Sequence, residues 1–243
     1  MIYRLLVLVG ILGALLSSCG AIVDLLSKNV DSENKEGVKS KFNDDNAILI
    51  EGKEFIYDVI QKEQNQTLQF QLSMKVIPGK YNGETKIKYK YYYVDEGLTQ
   101  EQVNYFVDTI KGYKWEVTSA DDRENYFDLH PPRSYSLNKL ELAPFPRVYL
   151  TSDIGSTFST VLKIGPGWGE NSFKSIFWQY EIAELIYYND SLTFTVIKAS
   201  SNWGKEYNED KICNVEFLFN SHLGFTKMSY LFSDSTSIEF LMK

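Results

Sequence analysis

The sequence predicts a mainly β protein of the α+β kind: a curved antiparallel sheet or partly open barrel of meandering strands, with one main helix packed on it at about residues 100–111. Three observations carry this. Apolar and polar residues alternate with period two, most clearly where Leu68, Phe70, Leu72, Met74 and Val76 interleave with Gln69, Gln71, Ser73 and Lys75. That is the pattern of a strand with one face buried and one wet. Aromatics make up 15% of the chain, with 17 Tyr, and such residues suit a pleated, half-buried surface. Short clusters of Gly, Pro, Asn and Asp break the alternation at hairpin spacing.

Taken in order, Glu54-Phe55-Ile56-Tyr57-Asp58-Val59-Ile60 reads as a strand, residues 61–66 as a turn, and the Leu68 strand follows. Pro78-Gly79-Lys80-Tyr81-Asn82-Gly83 reads as a turn cluster. The next strand puts Ile87, Tyr89, Tyr91 and Tyr93 on one face and Lys86, Lys88 and Lys90 on the other. The lysines make a solvated face that discourages edge pairing; as a basic stripe they would instead meet anionic groups.

The helix is capped by Thr99, with Gln102 completing a capping box. Val103, Phe106, Val107 and Ile110 form its apolar stripe, and Gly112 ends it. Trp115 and Val117 begin a short strand. Residues 119–150 are the least regular: Asp121-Asp122-Arg123-Glu124 reads as a charged loop, and His130-Pro131-Pro132-Arg133 as extended. Leu140-Glu141-Leu142-Ala143-Pro144-Phe145-Pro146-Arg147 reads as an edge strand or covering loop. A long ordered loop is a common place for a binding site.

In the second half, Phe158, Thr160, Leu162 and Ile164 alternate before Gly165-Pro166-Gly167-Trp168-Gly169 breaks the chain. Ile176, Trp178, Tyr180 and Ile182 support a strand, with a short helix over 181–188 as the alternative. Asn189-Asp190 turns into a strand of Leu192, Phe194 and Val196. The last three strands, from Cys213, Phe225 and Ser237, form a meander.

The N-terminal segment has a different texture. Arg4 precedes an apolar run over residues 5–16, too short for the roughly 20 residues that cross a bilayer. A basic start, a short apolar middle and small residues at its end make a secretory signal peptide. Leu16-Ser17-Ser18-Cys19 resembles a bacterial lipobox. The resemblance implies recognition of Leu16, Ser17 and Ser18 by signal peptidase II, cleavage before Cys19, and diacylglyceryl and acyl (palmitate-type) chains on Cys19. Gly20 is compatible with an outer-membrane destination under the sorting rule of some Gram-negative bacteria. Residues 1–18 are then a signal peptide, 19–46 the lipidated cysteine and a polar tether, and 47–243 a single β-rich envelope domain. A flexible tether of about 20 residues spans about 25 Å. The lipobox, tether and Tyr- and Asn-rich strands together resemble predicted outer-membrane lipoproteins of Bacteroidetes. A curved sheet with one helix also resembles lipoprotein carriers of the LolA and LolB type, whose sheet encloses an apolar cavity.

The net charge is −7, which opposes nucleic acid as a partner. With Cys19 lipidated, Cys213 has no intramolecular partner; it shares a face with Val215, Phe217 and Phe219, which predicts a buried, inert thiol. The histidines, His130 and His222, are too few and too isolated for a zinc site. No nucleophile elbow or paired-His zinc motif is present. The Gly165 run lacks the spacing of a phosphate loop, and Pro166 removes a donor. Glu206, Asn208 and Asp210 alternate like a calcium loop, but Phe217 stands where its final Glu belongs. No metal or other cofactor is expected.

Asp121, Asp122, Glu124 and Asp128, close to Tyr126 and Phe127, are the candidates for paired carboxylates of the glycosidase kind. Asp108-Thr109-Ile110, Asp190-Ser191-Leu192 and Asp234-Ser235-Thr236 resemble the O-glycosylation sequon of Bacteroidetes envelope proteins. The expected role is a non-enzymatic, membrane-anchored envelope domain that binds an apolar ligand or a partner. The alternatives are an assembly lipoprotein holding another envelope protein, and a surface glycan hydrolase. A cavity lined by Leu68, Phe70, Leu72 and Ile87 would favour the ligand.

Overall fold

The computed structural model describes residues 48–93, 115–122, 126–133, 135–150, 152–167, 169–189, 192–204 and 210–243. Leu16, Ser17, Ser18, Cys19, the tether to residue 46 and the helix expected at 100–111 lie outside the described residues, as do Glu124, Glu206, Asn208 and the first two sequon-like triplets up to Ser191.

The strands are β1 (Glu54–Glu63), β2 (Gln66–Tyr81), β3 (Glu84–Tyr93), β4 (Trp115–Asp122), β5 (Tyr126–Leu129), β6 (Arg147–Tyr149), β7 (Thr157–Lys163), β8 (Ser175–Asn189), β9 (Leu192–Trp203), β10 (Lys211–Asn220), β11 (Gly224–Phe232) and β12 (Ser237–Met242). They form one 12-stranded sheet in the order β6-β5-β4-β3-β2-β1-β12-β11-β10-β9-β8-β7. Every pairing is antiparallel. The expected mainly β, antiparallel meander is therefore what forms, and it does not close into a barrel. The chain runs outward from β1 to one free edge at β6, crosses to the other at β7, and returns to pair β12 with β1.

The sheet rolls around its own inner face. Phe127 of β5 packs against Phe219 of β10 and Phe225 of β11, with ring centroids 5.7 and 5.8 Å apart. The period-two pattern dictates which side chains go inward. Phe55, Tyr57 and Val59 of β1, Leu68, Phe70 and Leu72 of β2, and Ile87, Tyr89 and Tyr91 of β3 are all buried. Tyr57, Tyr230 and Phe240 meet edge to face, a favoured aromatic geometry. The interior tyrosines reach across to backbone carbonyls: Tyr57 Oη donates to Phe225 O at 2.9 Å, Tyr89 to His130 O at 2.9 Å and Tyr180 to Phe145 O at 3.2 Å. Burial raises the pKa of each of these hydroxyls, so they remain donors.

Three local expectations are corrected. Strand β2 runs through Pro78-Gly79 by shifting register between Val76 and Lys80, leaving the turn to Asn82 and Gly83 at φ 53° and 88°; a bulge absorbs the missing proline donor. Asp121 and Asp122 belong to β4 rather than a loop, because β5 pairs with them, Asp121 opposite Asp128 and Asp122 opposite Phe127. Residues 181–188 are strand to the end of β8, held by β9, which is the first of the two readings and not the alternative helix. Of the stretch Leu140–Arg147, read as an edge strand or covering loop, Leu140–Leu142 instead end a 3-10 helix, Tyr135–Leu142, and Arg147 opens the edge strand β6. Leu137, Leu140 and Ala143 recur every third residue, which stacks them on one face of a 3-10 turn, and all three are buried. That segment plugs one end of the rolled sheet. Lys139 Nζ ties it to Asp234 at 2.8 Å, Thr236 Oγ1 at 3.0 Å and Glu63 at 3.5 Å. Among the described residues, the other helical stretch is the 3-10 turn Gly169–Asn171.

Candidate functional site

Strands β5 and β6 present opposite faces to two parts of the sheet. Phe127 faces β10 and β11, while Tyr149 of β6 stacks on Phe158 of β7 with ring centroids 3.8 Å apart. The free edges thus meet through side chains at a seam instead of through a hydrogen-bonded ladder. Tyr89 and Tyr180 hold the carbonyls of His130, directly after β5, and Phe145, two residues before β6.

A cavity of about 230 Å³ lies at this seam. One wall carries Glu84 of β3, Ser119 and Asp121 of β4, Asp128 of β5, then His130, Phe145 and Arg147. The other carries Thr160, Val161 and Leu162 of β7 and Trp178 of β8.

Register builds the charged row. Asp121 lies directly opposite Asp128, and Asp128 directly opposite Arg147. Like charges opposite one another on adjacent strands repel, and Arg147 offsets this by pairing with the Asp128 carboxylate. Tyr126 Oη donates to Asp121 Oδ2 at 2.9 Å, and the Arg147 guanidinium lies 5.3 Å from the Tyr126 ring centre.

Burial raises the Asp128 carboxyl above its ordinary value, outweighing the opposing pull of Arg147. Burial alone would lower the Arg147 guanidinium, but the Asp128 carboxylate reverses this and holds it above its usual range. Asp128 Oδ1, Arg147 Nε and Trp178 Nε1 are buried without a hydrogen-bond partner. The His130 ring packs 4.5 Å from Phe145, with Nδ1 2.9 Å from Pro131 O and Nε2 3.6 Å from Glu141. Phe145 in turn packs 4.7 Å from the Trp178 ring.

Of the residues singled out by sequence, Asp121, Asp128 and His130 come together here. Asp121 and Asp128 are side-by-side neighbours on adjacent strands, and Asp128 is committed to Arg147. Leu68, Phe70, Leu72 and Ile87 are packed inside the core and do not line this cavity. Cys213 is fully buried, and burial pushes its thiol up to about 12. His222 stands in the β10–β11 turn, where its N–H donates to Asn220 Oδ1 at 2.9 Å. Lys88 and Lys90 lie over the rings of Trp115 and Tyr92, at 4.7 and 4.5 Å. Asp234 pairs with Lys139. Among the described residues, no group of three or more His, Cys, Asp or Glu is arranged to hold a metal.

Sequence reasoning missed Glu84, Arg147 and Trp178. The signal for Arg147 is a lone cation directly behind Pro146 in an otherwise apolar stretch. Trp178 reads only as one more inward residue of its strand.

No protein-family model, curated protein or solved structure matches the chain.

Proposed function

We propose that this protein is a membrane-anchored envelope lipoprotein whose β domain binds a small ligand in the seam cavity, without a catalytic step. One observation carries the binding reading: a cavity of about 230 Å³ lies between the two free edges of the sheet, lined by the Asp128–Arg147 pair together with Glu84, His130, Phe145 and Trp178. A concave site that sets a few polar groups among aromatic walls is what small-molecule sites present.

The anchor reading rests on Leu16-Ser17-Ser18-Cys19. One acyl chain holds a protein only marginally, at about 0.8 kcal/mol per buried methylene, and two or three hold it stably. The outer membrane is the proposed destination, with the tether of residues 19–46 carrying the domain away from the surface.

The test is mass spectrometry of small molecules released from the full-length protein, purified from its native envelope beside the Asp128→Asn variant. A stoichiometric compound in the wild type that is depleted in the variant supports the reading. A wild-type protein that carries nothing and gains no stability from envelope extract sinks it. Cys19→Ser is expected to leave the precursor uncleaved and unlipidated. Unchanged membrane association without the lipid would remove the anchor.

A further inference from the structure

We infer that the outer face of β2, β3 and β4 is a docking surface for anionic lipid headgroups. The inference rests on the anchor reading and adds an orientation to it: the tether sets how far the domain can stand off, and this face sets the side on which it meets the membrane.

The sequence offers Lys86, Lys88 and Lys90 as a device against edge pairing, and the fold removes that explanation. Strand β3 is interior, with β2 on one side and β4 on the other. Its alternation buries Ile87, Tyr89 and Tyr91 and turns the three lysines to the opposite face. Strand β2 adds Lys75, exposed between buried Met74 and Val76. Register sets Lys75 directly opposite Lys88, an apposition of like charges that destabilises a sheet. Lys139, Lys227 and Lys243 pair with carboxylates. Among the described residues, Lys75, Lys86, Lys88 and Lys90 have no such pair. Glu54 stands across from Lys75 on β1, but its carboxylate accepts from Ser73 Oγ. A negatively charged surface offsets the repulsion that the fold leaves in place.

Exposed rings complete the face. Trp115 lies opposite Lys90 and is 49% exposed, and Tyr92 is 40% exposed. Lys88 stands over the Trp115 ring and Lys90 over the Tyr92 ring. Amphipathic rings beside long lysine stems suit the headgroup zone of a bilayer, where one end is apolar and the other wet. The net charge of −7 does not oppose this contact, because salt screens charges beyond about 8 Å and the local lysines govern it.

The place where the chain enters the domain selects a lipid surface over other polyanions. Gly52 N donates to Val76 O and Val76 N donates to Lys53 O, both at 2.9 Å. The segment that follows the tether therefore joins the sheet one residue from Lys75. Strand geometry puts Lys75, Lys88, Lys90 and Trp115 within about 15 Å of that junction. A tether of about 20 residues spans about 25 Å, so the anchored end keeps this face within about one tether length of the bilayer.

The test is reconstitution of the full-length lipidated protein into vesicles of phosphatidylcholine alone or of phosphatidylcholine mixed with phosphatidylglycerol. Brominated phosphatidylcholine serves as a contact quencher of tryptophan. Flotation with the neutral vesicles reports the lipid anchor by itself, and the part of the emission that Trp115→Phe removes reports the docking face. Quenching of Trp115 is expected to be at least about threefold greater in the anionic vesicles, and to fall to the neutral-vesicle level in molar salt. The triple variant Lys75→Gln, Lys88→Gln, Lys90→Gln breaks no ion pair, so it folds as the wild type, and it is expected to give the same loss as salt.

Equal quenching in both kinds of vesicle, or quenching that the triple variant keeps, would overturn the docking. Flotation without Trp115 quenching in either would overturn the face and leave the anchor. Failure to float with neutral vesicles would overturn the anchor reading, and this inference with it. A Trp115 emission that responds to heparin through the same lysines, and not to phosphatidylglycerol, would assign the face to an anionic polysaccharide and overturn the lipid surface.

Discussion

The body of the sheet around the β1–β12 pairing and the seam between β6 and β7 are built from the same kinds of strand, yet they solve burial differently. In the body, ladders run on both sides of each strand, and Tyr57, Tyr230 and Phe240 interlock edge to face. At the seam, two edges meet through the Tyr149–Phe158 stack, and the space behind it holds a buried ion pair. Both regions contain unmatched polar atoms. In the body these are neutral, such as Gln61 Oε1 and Tyr230 Oη; at the seam they sit on Asp128 and Arg147 beside a cavity. A neutral orphan is a modest loss within a close-packed core. A charged one is a larger loss.

The largest expected effect tests the body. Phe240→Ala, at a fully buried ring, is expected to cost about 3–5 kcal/mol in denaturant unfolding. Arg147→Met is expected to cost a similar amount, about 3–5 kcal/mol, because it strands the Asp128 carboxylate. Adding Asp128→Leu should then restore most of the loss. If the double variant is as unstable as the single one, the ion pair holds the tongue of β5 and β6 in place for a reason other than charge.

The next effect is in pH. The Asp128 carboxyl is raised above its ordinary 3.8, so the folded state holds that proton more tightly than the unfolded one. Its contribution is fully present below 3.8 and is lost as pH rises through the raised value. The wild type should therefore lose stability relative to Asp128→Asn as pH rises above 3.8 and through the raised value. Parallel stability curves for the two would show that the carboxyl is not held this way.

Phe158→Ala removes a half-buried ring from the seam stack and should cost only about 1 kcal/mol, while raising hydrogen exchange in β7. A loss matching that of Phe240→Ala would make the seam part of the core and end the contrast. The smallest effect belongs to Lys139→Met at the plugged end. Its partners are partly exposed, so less than about 1 kcal/mol is expected, vanishing in high salt.

Much of the candidate site was half legible. Asp121, Asp128 and His130 stood out as charged or titratable groups near aromatics. Asp121 reads as a loop residue from sequence, because nothing local announces that β5 pairs with it. Arg147 and Trp178 gave almost no signal. Arg147 is 19 residues from Asp128 and separated from it by the 3-10 plug. Trp178 reads as an ordinary core residue, and only the position of its indole N–H makes it more than that.

By itself the sequence determined the class of fold and the inward set of side chains. Alternation is a local property: every second residue of a pleated strand points the same way, whatever it pairs with. Leu68, Phe70, Leu72, Ile87, Tyr89 and Cys213 are buried for that reason. Tertiary structure decided the pairing of β1 with β12, the break between β6 and β7, the 3-10 plug, and the meeting of Asp121, Asp128, Arg147 and Trp178 at one cavity. Those depend on how a whole sheet curls to cover its apolar face, and that curl is set by the summed twist and packing of all its strands.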